Sequence, residues 1–291
     1  MKPTATLLRF ATLIITLLCG SSTFAMSFEW GKDLHQMTMN GQIVSGDAER
    51  FITVLLSPPK SFANLYKMPW RIELDSDGGS VVEALRISAL VEAMHVDTQV
   101  RRAGVCSSSC FFIFLSGMER RASGYLSEEP AKARAFGYVG LHRPYLDPQQ
   151  SSQMSLPNVT DRQRDLVAAV RNHLTSEGVS QRLLDGMMRR SSNEIFWLTQ
   201  DDLDELGSYN AGYEESLIAK CGFSRQIEID KLKAVDENDS KGLMEAVRKM
   251  DKVIYCGINS IIGPFRDAEA TRLLDRLRAG WRPWTKVSQS K

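Results

Sequence analysis

Trp70-Arg-Ile-Glu-Leu-Asp-Ser-Asp-Gly-Gly-Ser-Val81 is the stretch whose reading decides the fold. Ile72 and Leu74 alternate with charged neighbours, the two-residue period of a strand with one buried face. The strand runs into Ser76-Asp-Gly-Gly-Ser80, and a helix starts at once, because Ser80 with Glu83 three residues on forms a capping box. Val81, Ala84, Leu85, Ser88 and Val91 then make one small or apolar helix face. The order is strand, glycine turn, helix.

The unit recurs downstream with different residues. Thr98 to Arg101 reads as a strand, Ala103-Gly104 as a turn, and Ser109 to Leu115 as a buried helix ending at Gly117. A further strand covers Phe136 to Leu141. Upstream, from Met37, a short strand turns at Asn40-Gly41, and an amphipathic helix over Asp47 to Leu56 is broken by Ser57-Pro-Pro. Helices follow over Asp161 to Thr175 and Ser180 to Met188, and Thr199 with Asp202 caps a short helix that stops at Gly207. This alternation predicts an α/β layered fold with a mostly parallel sheet. Past residue 215 the strand signal fades into charged helical text, clearest over Met244 to Tyr255 and Asp267 to Ala279. The expected organisation is a leader over 1–25, an α/β domain over 26–214 and a helical C-terminal extension over 215–291.

The leader has the three-part layout of a secretory signal peptide: Lys2 and Arg9, an apolar run from Phe10 to Leu18, and a small polar stretch ending Ser22-Thr-Phe-Ala25. The run is about half the roughly twenty apolar residues that a spanning helix needs. A mature chain without a membrane span, periplasmic or secreted, is therefore expected. Cys19 invites a lipoprotein reading, but the bulky Leu18 before it is a poor match for that processing. The formal net charge of +1, with no long basic block, gives no electrostatic footprint for nucleic acid or an acidic membrane surface.

Cys106, Cys110, Cys221 and Cys256 remain after leader removal, an even set that suggests disulfides in an oxidising compartment. A Cys221 to Cys256 bridge would close a loop of about 36 residues and contribute roughly 4 kcal/mol by chain entropy. A Cys106 to Cys110 bridge, reachable if the segment is helical and out of reach on a strand, would contribute only about 2 kcal/mol. Two buried free thiols are the alternative for that pair. No metal site is expected: no C-x-x-C or H-x-x-x-H pattern is present, and His35, His95, His142 and His173 are scattered.

Three short motifs stand in order: Gly78-Gly79 at a strand end, Ser108 at the start of a buried helix, and Gly140-Leu-His142-Arg-Pro144 after a third strand. Alone, each is an ordinary turn, an ordinary N-cap and an ordinary histidine. Together they match the needs of serine attack on a carbonyl: a nucleophile, a base for its proton, and backbone donors for the oxyanion. A glycine lets its amide approach a substrate closely, a helix N-terminus leaves N–H groups free, and histidine is the side chain suited to proton transfer near neutrality.

The order and spacing resemble the proteolytic subunit of the Clp protease and its relatives within the crotonase-like fold. The resemblance begins at Thr38-Met-Asn-Gly-Gln-Ile43, continues through Leu74-Asp-Ser-Asp-Gly-Gly-Ser-Val81, and extends to Gly104 through Gly117, with Ser108 nine residues before Gly117. Leu141-His142-Arg-Pro144 and Trp197-Leu-Thr to Gly207 complete it, from Met37 to Gly207. It implies Ser108 as nucleophile, His142 as general base, and the amides of Gly78 and Ser109 as oxyanion hole. Ser107 and Ser109 are equally hydroxylic, and only register against Gly117 selects Ser108. The family's aspartate would fall just before Trp197, near Ile195, where Asn193 or Glu194 offers a polar replacement; Asn193 is the candidate third member, with a Ser-His dyad as the alternative. Asp77 stands where the family usually has proline, a negative charge that would weaken catalysis or select a cationic substrate.

The resemblance implies a peptide or unfolded-protein substrate, no cofactor, and a homo-oligomer, since relatives form rings or trimers. Outside the cytoplasm the activity would be independent of ATP. Two other readings are a catalytically inactive binding module on the same fold and an acyl-CoA enzyme of the wider crotonase group. The second is disfavoured by export away from CoA.

Overall fold

The computed structural model describes residues 25–31, 36–59, 68–125, 136–146, 151–152, 154–191, 193–262 and 269–284. Residues 1–24, which carry nearly all of the expected leader and Cys19, lie outside the described residues. The protein is a mixed α/β molecule. One sheet contains β1 (Ser27–Trp30), β2 (Gln36–Asn40), β3 (Arg71–Asp75), β4 (Asp97–Val100) and, beyond β4, β6 (Arg120–Arg121). Strands β2, β3, β4 and β6 pair in parallel, and β1 joins β2 antiparallel. A second, three-stranded sheet has β5 (Val105–Ser107) parallel to β7 (Tyr138–Leu141), which pairs antiparallel with β8 (Phe196–Trp197). A parallel bridge between Ser76 and Cys106 stitches the end of β3 to β5, so the two sheets meet where the sequence motifs lie.

The alternation seen in the sequence sets the faces: Met37, Met39, Ile72 and Leu74 are fully buried, while the residues between them are half-exposed. Helices α1 (Asp47–Leu56) and α2 (Val81–Met94) bring Phe51, Leu55, Ile87, Leu90 and Val91 into the same core. Helix α3 (Cys110–Leu115) is buried on every side, which is why its text, Cys-Phe-Phe-Ile-Phe-Leu, has no polar face.

Only half of the expected capping box at α2 forms. Ser80 Oγ accepts the Glu83 amide at 3.3 Å, but the Ser80 amide donates to the Ile43 carbonyl at 2.8 Å. Glu83 is thereby released, and its carboxylate accepts the Ala48 amide at 3.0 Å in the first turn of α1 while holding Arg86 at 2.7 Å. A buried acid thus satisfies an orphan donor of a neighbouring helix N-terminus, where negative charge is favoured.

Helices α4 (Leu156–Ser176), α5 (Gln181–Arg189) and α6 (Gln200–Leu206) follow, the last opened by a complete Thr199/Asp202 capping box. Helices α7 (Ala211–Cys221), α8 (Arg225–Asp236) and α9 (Ser240–Gly257) gather around a small cluster of Tyr209, Leu217, Phe223 and Val253. Disulfide Cys221–Cys256 pins α7 to α9 with Cα atoms 5.6 Å apart. The last helix, α10 (Ala270–Arg278), returns to the main core through Leu273, Leu274 and Leu277, and Arg282 beyond it grips Glu49 of α1 with contacts of 2.7 and 2.6 Å.

Two half-buried histidines make acid stability testable. His95 ends α2, and His173 sits in the last turns of α4 with its ring 5.8 Å from that of Phe112. Burial holds both below the ordinary value of 6.5. A histidine with a depressed folded pKa binds its proton more readily when unfolded, so stability falls as pH drops through 6.5 towards the folded value. The His95→Gln/His173→Gln variant is expected to show a shallower loss of thermal midpoint below about pH 6.5 than the wild type, read by circular dichroism melts across that range.

Candidate active site

Three chain segments converge where β3, β5 and β7 end. The Ser76 amide donates to the Val105 carbonyl at 2.7 Å and the Ser107 amide to the Ser76 carbonyl at 2.9 Å, so β3 and β5 run side by side into their turns. The turn after β3 then lies directly on the turn after β5. Gly78 has φ +93, and a Cβ there would stand 2.6 Å from Ser108 Cβ, 2.7 Å from the Ser107 carbonyl oxygen and 2.9 Å from the Ser109 nitrogen. Glycine is required twice over, by backbone conformation and by space. At Gly79, with φ +141, an added Cβ would press still closer on the Ile43 carbonyl, and the Gly78 carbonyl accepts the Ile43 amide at 2.8 Å.

Of the three adjacent serines, Ser107 and Ser109 are buried at 3% and 1% exposure, while Ser108 is half-buried and reachable. Ser108 occupies the left-handed region with φ +57, an arrangement that costs about 1–2 kcal/mol for a residue with a side chain. It is the apex of a sharp strand-to-helix turn, which projects a hydroxyl away from the backbone on both sides. Its amide donates to the Gly140 carbonyl of β7 at 2.9 Å, and its carbonyl accepts the Phe111 amide at 3.1 Å. The Ser109 amide, at the N-cap of α3, has no hydrogen-bond partner among the described residues. The Gly78 amide donates to Ser76 Oγ at 3.1 Å, so it reaches an oxyanion only by sharing or leaving that hydroxyl.

Cys106 and Cys110 are joined, with Cα atoms 5.2 Å apart. The route differs from the helical one on which the sequence spacing rests: Cys106 is in β5, Cys110 opens α3, and the reversal at Ser108 brings them together.

His142 follows β7 directly and is 8% exposed. Its Nδ1 lies 2.9 Å from the Arg143 carbonyl oxygen. A carbonyl only accepts, so Nδ1 carries the proton and Nε2 of the neutral ring is left as the acceptor, the tautomer a base acting through Nε2 needs. Tyr145 stacks on the ring at 5.4 Å between centroids. Ser107 pairs with Gly140 across neighbouring strands, which run about 4.8 Å apart, placing Ser108 and His142 at the same sheet end. No hydrogen bond joins Ser108 Oγ to the ring among the described residues.

Leu141 pairs with Phe196, and one further step of that antiparallel register sets Ile195 opposite His142. Asn193 and Glu194 are exposed in the approach to β8, where Glu194 accepts the Ser191 amide and hydroxyl, both at 3.2 Å. Asp77 is exposed at the rim beside Gly78. Ser76 Oγ, the Arg143 carbonyl and the Tyr145 ring are the participants that sequence reasoning missed. Two of these act through backbone partners and leave no residue-type signal. Among the described residues no group of His, Cys, Asp and Glu side chains is arranged to hold a metal ion, and no helix is long and apolar enough to cross a membrane.

No protein-family model matches the chain, and no curated protein matches it. Similar solved structures include a point mutant of ClpP1 from Listeria monocytogenes, 16% identical with TM-score 0.41, covering 61% of this chain and 90% of that one. ClpP1 of the same organism is 17% identical with TM-score 0.40, covering 61% and 89%. The membrane-bound stomatin-specific protease 1510-N, as a serine-to-alanine mutant, is 16% identical with TM-score 0.37, covering 65% and 84%.

Proposed function

We propose that the chain is an exported, ATP-independent serine hydrolase of the peptidase type, acting on peptides or unfolded proteins through an acyl-enzyme at Ser108. The observation that carries the reading is the reachable Ser108 hydroxyl at a left-handed apex pressed against Gly78, at the sheet end that also carries His142. In this reading Ser108 Oγ attacks the substrate carbonyl and His142 Nε2 takes its proton. The Ser109 amide, joined by Gly78 once Ser76 yields, receives the oxyanion. His142 then protonates the leaving amine, and water, deprotonated in the same way, releases the acid. The Arg143 carbonyl fixes the ring's tautomer, a task otherwise given to a carboxylate, and Asn193 stands as the outlying candidate for that task. The wider reading is a mostly parallel, Clp-protease-like domain over 26–214 with a helical extension, assembled as a homo-oligomer in an oxidising compartment that suits two disulfides.

The test is incubation of the folded protein with a fluorophosphonate probe, expected to give one covalent adduct per chain that heat-denatured protein does not form. In the same assay His142→Ala is expected to lower the labelling rate about 10²- to 10⁴-fold, the usual contribution of a positioned base. A second reading, a binding module without turnover, draws on the engaged Gly78 amide and on Ile195 opposite His142. It expects no adduct on folded protein, with His142 present or replaced.

A further inference from the structure

We propose that the Cys106–Cys110 disulfide is a positioning element for the nucleophile, holding Ser108 in its reactive conformation rather than serving chiefly to stabilise the fold; this rests on the hydrolase reading. The bridge spans only Ser107, Ser108 and Ser109, and Ser108 is the one residue of the three with a left-handed backbone. It ties the strand that enters the turn to the first residue of the helix that leaves it.

As a staple for the whole chain the bridge is poorly placed. Loop closure contributes least for short loops, and this one is far shorter than the Cys221–Cys256 loop, whose separation is 35 against 4. The segments it joins are already secured. Val105, Cys106 and Ser107 pair with Tyr138, Val139 and Gly140, and every side chain of α3 is in the core. The apex itself is what those contacts leave under-determined. Ser108 is not glycine, so its positive φ is disfavoured, and among the described residues its backbone is held by the Gly140 and Phe111 hydrogen bonds and the contact with Gly78. A covalent tie of 5.2 Å between the Cα atoms on either side removes the extended alternative, which would swing the hydroxyl away and turn the Ser109 amide with it. Both cysteines are fully buried, so the tie lies under the turn and leaves the substrate side clear.

The test compares fluorophosphonate labelling of the wild type and of Cys106→Ala/Cys110→Ala as a function of probe concentration. The limiting rate of the variant is expected to fall at least tenfold with little change in the half-saturating concentration, while Cys221–Cys256 stays intact by mass. A purely structural bridge would lower the thermal midpoint and leave the limiting rate alone. An equal limiting rate in the two proteins therefore overturns this proposal and spares the hydrolase reading, whereas no adduct on folded wild type overturns both.

Should the variant fail to fold, the wild type partly reduced by dithiothreitol answers instead. Each S–S bond broken takes two electrons and two protons from the dithiol, which becomes a cyclic disulfide, and two thiols form. The fraction eluting at the native volume is labelled, alkylated and digested. The probe is expected on segments with Cys106 and Cys110 still joined, at least tenfold over segments with both alkylated, and equal labelling of the two forms overturns the proposal.

Discussion

Ser108→Ala is expected to abolish covalent labelling and to lower any hydrolytic turnover on the order of 10⁶-fold, with the fold and thermal midpoint unchanged. The two halves of this expectation have separate causes. Alanine keeps the Cβ that already stands against Gly78, and it meets the same backbone penalty at φ +57 as serine does. The backbone bonds to Gly140 and Phe111 do not involve the hydroxyl. Stability should therefore move by no more than about 0.5 kcal/mol, as for substitutions that remove no buried partner. Labelling, by contrast, depends on the one atom removed. Ser107 and Ser109 are not expected to substitute, because both residues are buried.

Gly78→Ala should damage both the fold and the site with a single methyl group. The new Cβ would meet Ser108, the Ser107 carbonyl and the Ser109 nitrogen together, two of them backbone atoms of the apex. It would also adopt a positive φ that glycine alone takes freely. Together these should lower stability by about 2–4 kcal/mol and push apart the two turns that face a substrate carbonyl. Labelling should fall at least about 10²-fold, the scale of losing one oxyanion donor. Gly46→Ala is the matched comparison: Gly46 has φ +90 but nothing within 4 Å of an added Cβ. It should show the backbone penalty and keep the labelling rate. Chemical denaturation and probe kinetics on the two variants separate the effect of the clash from that of the dihedral angle.

How much was legible in the sequence varies with how local the cause is. Strand β3, helix α1 and the Thr199/Asp202 cap were readable, because alternation, amphipathic period and capping chemistry are contained within a dozen residues. The half-formed box at Ser80 was not, since Glu83 is claimed by the start of α1, thirty-five residues away in the chain. The return of α10 to the main core was likewise hidden: its apolar stripe says that it packs, not against what.

In the site, glycines announced the turn at 78–79, but nothing announced the left-handed apex, because the residue there is serine. The two-residue strands β6 and β8 are too short to show a period, so the register that sets Ile195 opposite His142 could be approached only by spacing. The carbonyl of Arg143 left no trace either, since every residue has one.

The central claim is that Ser108 is the reactive residue of this turn. The most direct measurement is fragmentation mass spectrometry of the peptide spanning residues 105–117 after fluorophosphonate treatment of folded wild-type protein. A single adduct on Ser108 is expected, and an adduct on Ser107 or Ser109 with Ser108 unmodified would contradict Ser108 as the reactive residue.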